Sequence, residues 1–301
     1  MKCKWIKKLT AGIIFLAAVG SLSGCQKAAT SENLFRDIEV NMTSVESAEE
    51  NQIVKLQMGD GDSAISQESN LDIEMTRNPA SVHRKGQQKT NMAGTKETQE
   101  MESYQVEEDG KTVIYSGTDE AWEKNAVEEK ETSSQQTVLF DGLQNLSGAF
   151  SVSQDLATVN KEECFELTGT ISGTQFQETF ADTLKALLGE DSSDLSGWNL
   201  QASEDEENNE ELQQKLNNIK VDCVIDLYRS NILPAKITFD LTDYLKAAGE
   251  ENAQVTSYTL EVTFVSYNDT KKIKVPKAVK ESAKDNGEDE AGNSTDELLE
   301  E

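Results

Sequence analysis

Few side chains in this 301-residue sequence are of a type that does chemistry. Cys25 is the most nucleophilic candidate, since a thiolate attacks where a hydroxyl does not, and it follows two small residues in Leu22-Ser23-Gly24-Cys25. His83 is the sole imidazole, which leaves too few for a His-rich metal site. As a general base it would need a nucleophile and an orienting acid beside it. Its neighbours Arg84 and Lys85 suggest instead an exposed position on a polar strand. Asp60-Gly61-Asp62 opens like a calcium loop, but Ile65 and Leu71 stand where such a loop needs Gly and Glu, so a hairpin turn is expected. The acids of 204–211, which begin with Glu204-Asp205-Glu206-Glu207, read as a solvated loop. Carboxylates are so common that no glycosidase-type pair stands out. These residues predict no enzyme, no cofactor and no metal site.

The elements that carry Cys25 are legible. Lys2, Lys4, Lys7 and Lys8 form a positive start, followed by an apolar run of nine residues from Ala11 to Val19. A membrane-spanning helix needs about 20 apolar residues, so this run suits the core of a signal peptide. Together with Leu22-Ser23-Gly24-Cys25 it resembles the N-terminus of bacterial lipoproteins, with their lipobox. That resemblance implies cleavage before Cys25, a diacylglyceryl group on its thiol, and anchoring on the outer face of the cell membrane. Gln26 follows, so an Asp-type retention signal is absent there. Residues 1–24 are then the signal peptide, and residues 25–33 the lipidated cysteine and a polar tether. Loss of 1–24 removes four lysines and no acid, taking the net charge from −28 to −32. Such a body is repelled by anionic headgroups and held by its acyl chains. Nucleic acid is excluded as a partner, because phosphate backbones demand clustered Lys and Arg.

Residues 34–280 read as one domain and 281–301, with nine acids and one lysine, as a disordered tail. Leu34, Phe35, Ile38, Met42 and Val45 fall on a helical stripe. Period-two alternation follows around Ile53–Leu56, Leu71–Met75, Ser81–Thr90, Tyr104–Val106 and Val113–Tyr115. Asn78-Pro79 and Asp109-Gly110 mark turns between these strands. Leu139, Leu143 and Leu146 suggest a short helix, and Phe150–Val159 with Glu163–Ile171 a hairpin around Asn160-Lys161. Phe176, Phe180, Leu184, Leu187 and Leu188 form the clearest helical stripe, stopped by Gly189. An acidic loop over 190–211, a short helix through Leu212, Leu216 and Ile219, and strands at Val221–Arg229, Ala235–Leu241 and Val255–Tyr267 complete the domain.

Two further thiols lie inside it. Outside the cytoplasm, Cys164 and Cys223 could form a disulfide. Alternation opposes this, since Phe165, Leu167 and Ile171 turn Cys164 away from the apolar face, whereas Cys223 shares that face with Val221, Ile225 and Leu227. Bonding requires the Cβ atoms to approach to about 4 Å, which a bulge alone would allow. Separate, buried thiols are the other reading.

The lipobox, the meander ending in Tyr115…Gly117…Trp122-Glu123-Lys124, the Ile232-Leu233-Pro234-Ala235-Lys236-Ile237 segment and Ile273-Lys274-Val275-Pro276 together resemble Gram-positive relatives of the LolA/LolB and LppX/LprG lipoprotein carriers. The resemblance spans residues 31–280. It implies an α+β fold, a curved antiparallel half-barrel with helices over its concave face and an apolar cavity between. The lining would be Phe165, Phe176, Phe180, Leu184, Leu187, Leu188, Ile225, Leu227, Phe239, Leu260 and Phe264. Two functions are compatible with this arrangement. One is a cell-envelope interaction or assembly module whose gap is filled by its own side chains. The alternative is a lipid or lipopeptide carrier. The partner is an envelope protein in the first case and a lipid ligand in the second.

Overall fold

A computed structural model describes residues 29–60, 64–118, 121–127, 142–188, 206–248 and 254–285. Helix α1 (Ser31–Met42) begins at Thr30, whose hydroxyl accepts the Asn33 N–H, and it buries Leu34, Phe35, Ile38 and Met42. The meander follows as β1 (Ser47–Met58), β2 (Ile65–Arg77), β3 (Ala80–Met92), β4 (Thr95–Glu108), β5 (Lys111–Thr118) and β6 (Ala121–Val127). Ala93-Gly94 and Asp109-Gly110 make its tight turns with positive φ at both positions, the twist that two-residue hairpins require.

The second block opens with a 3₁₀ helix (Leu143–Ala149), then β7 (Phe150–Val152), β8 (Ala157–Val159) and β9 (Glu162–Ser172). Asn160 and Lys161 turn the β8–β9 hairpin in the left-handed region. Helix α2 (Gly173–Leu188), helix α3 (Glu206–Asn218), β10 (Lys220–Tyr228), β11 (Pro234–Asp240), helix α4 (Thr242–Ala248) and β12 (Val255–Tyr267) follow, and helix α5 (Lys277–Ser282) leads into β13 (Lys284–Asp285).

All strands join one curved sheet, in the order β13-β6-β5-β4-β3-β2-β1-β12-β11-β10-β9-β7, with β8 also on β9. Neighbours are antiparallel apart from the two-residue β13–β6 pairing. Strand β12 closes the molecule by pairing with β1, Val54 opposite Leu260 and Gln52 opposite Val262. The α+β half-barrel architecture expected from the sequence is therefore the observed one.

The sheet buries apolar groups on both faces, at different places. Tyr258, Leu260, Val262 and Phe264 of β12 and Val221, Cys223, Ile225 and Leu227 of β10 face α1, the 3₁₀ helix, α2, α3 and α4 in the main core. On the opposite face, Tyr104, Val106, Val113, Tyr115 and Trp122 are covered by Ile273, Val275 and Val279 of the C-terminal segment. Lys280 pairs with Glu108 across this second layer.

Four expectations change. Residues 206–211, assigned to an acidic loop, open α3 instead, while residues 190–205 of that loop lie outside the described residues. Leu143 and Leu146 are buried in a 3₁₀ turn rather than an α-helix, and Leu139 is outside the described residues. Helices α4 and α5 had no counterpart in the sequence reading. Residues 281–285, placed in the tail, finish α5 and form β13, because Ala283 packs on the second core and Lys284 pairs with Glu123.

Candidate functional site: the layer between helices and sheet

Helix α2 presents Phe176 and Phe180 to the sheet because four residues make one turn and place both rings on one stripe. They meet Phe239 of β11 with ring centroids 5.3 and 5.0 Å away, and Phe176 meets Tyr244 of α4 at 5.1 Å. These are contact distances for edge-to-face rings. Phe35 of α1 and Phe150 close a second aromatic pair at 5.1 Å, and Gly169 of β9 lies beneath Phe150, where a Cβ would stand 2.6 Å from the ring.

Of the residues expected to line a cavity, Phe176, Phe180, Ile225, Leu227, Phe239, Leu260 and Phe264 are brought together, each no more than 1% exposed. Phe165 packs at the margin of this cluster, half-buried. Leu184, Leu187 and Leu188 belong to the last turns of α2, beyond the described side chains. Val54, Leu56 and Met58 of β1 continue the apolar surface as partly buried residues.

Polar groups enter the same face. Glu50 and Gln52 alternate with outward residues of β1 and are each 2% exposed. Both Glu50 carboxylate oxygens and Gln52 Oε1 lack a hydrogen-bond partner among the described residues. Burial pushes the Glu50 carboxyl up to about 7, while the nearby Arg84 guanidinium pulls it back. Glu50, Ile73 and Arg84 form one row across β1, β2 and β3. Sequence reasoning missed this row, although the parity of β1 carries the signal: Glu50 and Gln52 share the phase of Val54 and Leu56.

The family DUF6612, described as a family of unknown function, matches residues 30–284. The chain belongs to this family. No curated protein sequence matches the DUF6612 chain. Among solved structures it is similar to LprF from Mycobacterium bovis, at 10% identity and a TM-score of 0.44 over 82% of this chain and 96% of that one. It is likewise similar to the lipoprotein LppX of Mycobacterium tuberculosis, at 13% identity and a TM-score of 0.42 over 81% and 98%. A LolA superfamily protein from Nitrosomonas europaea is a third, at 10% identity and a TM-score of 0.23 over 84% and 97%.

Other sequence candidates of this DUF6612 chain fall elsewhere. His83 is not an exposed strand residue: its side chain is 20% exposed and stacks on Tyr104 at 4.3 Å. Its Nε2 and Nδ1 lie 3.0 Å from Glu102 and 3.4 Å from Glu74. Burial alone would raise the Glu102 carboxyl, but hydrogen bonds from Tyr104, His83 and Lys85 outweigh it and hold it below its ordinary value. The cluster is a cross-strand tie on the face opposite the main core. Cys164 and Cys223 are both free and buried on opposite faces of the sheet, as alternation indicated. Burial pushes the Cys223 thiol up to about 12 and raises Cys164 as well, so neither is a ready nucleophile. Asp226, 6% exposed, has one carboxylate oxygen without a hydrogen-bond partner among the described residues, and burial with the nearby Glu166 pushes it up to about 6. Among the described residues no group of three His, Cys, Asp or Glu could hold a metal ion, and no helix is long and apolar enough to cross a membrane.

Proposed function

We propose that this chain is a non-enzymatic lipoprotein, anchored outside the cytoplasm through acylated Cys25, that works as a cell-envelope interaction or assembly module. The observation that carries the reading is the direct seating of Phe176 and Phe180 on Phe239 and Tyr244. Rings at contact distance support a layer filled by the protein's own side chains, an arrangement that would leave no bed for an acyl chain.

A lipid or lipopeptide carrier is the second reading. It is favoured by the partly buried Val54, Leu56 and Met58, which extend the apolar face along β1. Each CH₂ buried there would gain about 0.8 kcal/mol, so a tail of roughly 14 carbons could offset the cost of association.

Native mass spectrometry of the protein from its own membranes separates the two. A bare acylated chain is the expected result, and a stoichiometric second lipid would establish the carrier instead. Detergent-phase partitioning tests the anchor. Cys25→Ala should leave the protein in the aqueous phase or as an uncleaved precursor, because the attachment atom is gone. Cleaved Cys25→Ala protein that still enters the detergent phase would remove the lipoprotein assignment.

A further inference from the structure

A pocket of about 370 Å³ lies on strands β1–β4, beside the Ala93-Gly94 turn. Registered pairing builds its walls in two straight rows. One row is Lys55, Glu68, Lys89 and Thr98, one residue from each strand. Two positions further along every strand runs the second row, Gln57, Ser66, Asn91 and Lys96. Alternation puts both rows on the same face, opposite the face on which Leu56 meets the main core.

The charge of this pocket runs against that of the molecule. Three ammonium groups share these rows with one carboxylate, Glu68, in a chain with twice as many acids as bases. A second carboxylate at the pocket, Glu97, belongs to the intervening positions of β4. Lys55 approaches Glu68 at only 3.9 Å, and neither Lys89 nor Lys96 has a carboxylate partner among the described residues. Lys89 and Lys96 are diagonal neighbours across β3 and β4, at a separation where like charges repel. The Asn91 side-chain oxygen is buried beside them without a hydrogen-bond partner among the described residues. An anion between the lysines would offset their repulsion, and a hydroxyl donor would satisfy Asn91.

We propose that this pocket binds a phosphorylated polyol, the phosphate held by Lys55, Lys89 and Lys96 and the hydroxyls by Asn91, Thr98 and Ser66. Lysine suits a phosphate as a point charge, and the volume suits a small polar group rather than an acyl chain. The same chemistry arrives either as a free polyol phosphate or as the headgroup of an anionic glycerophospholipid. The site is independent of the helix–sheet layer and of what that layer holds.

The test uses the full chain reconstituted in phosphatidylcholine vesicles, with lysine acetylation read residue by residue by mass spectrometry. Added glycerol 1-phosphate should protect Lys55, Lys89 and Lys96, while the exposed Lys271 and Lys272 stay reactive and glycerol itself protects nothing. If protection appears only when phosphatidylglycerol replaces part of the phosphatidylcholine, the site holds and its ligand is the lipid headgroup. Calorimetry in neutral detergent supplies the second readout. The triple variant Lys55→Gln, Lys89→Gln, Lys96→Gln should bind glycerol 1-phosphate about tenfold or more weakly, since it loses the charge-assisted hydrogen bonds. These side chains are exposed, so the variant should melt like the parent. No protection by either probe, or undiminished binding of the protecting probe in the triple variant, overturns the proposal.

Discussion

Glu50 places a carboxylate where the sheet otherwise buries carbon, and its cost depends on pH. An acid whose native pKa stands above its ordinary 4.5, at about 7, binds its proton more tightly folded than unfolded. Folding stability from this group is therefore full below 4.5, falls as pH rises through that interval and levels off above about 7. Asp226, raised from 3.8 to about 6, acts with the same sign in a lower window. Glu50→Gln keeps the shape and removes the ionisation. Thermal melts from acid to neutral pH should then show a shallower decline, smaller by up to about 3 kcal/mol, with the part due to Asp226 retained. A variant with the parental slope would exclude Glu50 as the titrating group. The alternation of β1 puts this residue in phase with Val54 and Leu56, but a Glu in a strand is ordinarily assigned to solvent, and the pairing with β2 and β12 is what fixes its face.

At the scale of elements, the contact between α2 and β11 decides whether the layer is core or container. Leu260 is fully buried on β12 beneath the helices. In a filled layer Leu260→Trp should cost about 1–3 kcal/mol by overpacking, and Phe176→Ala about 3–5 kcal/mol by leaving a cavity. Denaturant unfolding measures both, and a neutral Leu260→Trp would mean that the layer has room. The stripe from Phe176 onward was readable since it repeats over several turns. Helix α4 was not, because seven residues with Tyr244 and Leu245 buried are too short for a 3.6 period to emerge. Its signal was local: Asp240 accepts hydrogen bonds from the Thr242 N–H at 3.0 Å and the Thr242 hydroxyl at 2.6 Å, an Asx turn just ahead of the helix.

For the whole molecule, the C-terminal segment is the strap of the second core. Val279 and Ala283 pack toward Trp122 and Tyr115, and Lys284 pairs with Glu123. Deleting 286–301 should leave the melting temperature unchanged, since that acidic stretch offers little to bury beyond Leu298 and Leu299. Deleting from Glu281 onward removes Ala283 and β13 as well and should cost about 1 kcal/mol. Equal melting temperatures for the two truncations would show that β13 adds nothing, and a drop on the shorter deletion would show that the last residues dock.

By itself the sequence determined what depends on neighbours along the chain. The nine-residue apolar run and the box at Leu22–Cys25 are local patterns, as are the alternation of β2 and β12, the Asp109-Gly110 turn and the stripe of α2. Period and turn chemistry act over a few residues, so they can be read without a partner strand. Tertiary structure decided everything that needs two distant segments to meet. The pairing of Val54 with Leu260 closes the sheet across some two hundred residues, and no local period encodes it. The meeting of Phe180 with Phe239, at 5.0 Å between ring centroids, needs a helix and a strand some sixty residues apart, and the stripe alone does not say which residues it will meet. The rows that gather Lys55, Lys89 and Lys96 exist only because four strands stand in one register, and a shift of a single residue would send them to opposite faces.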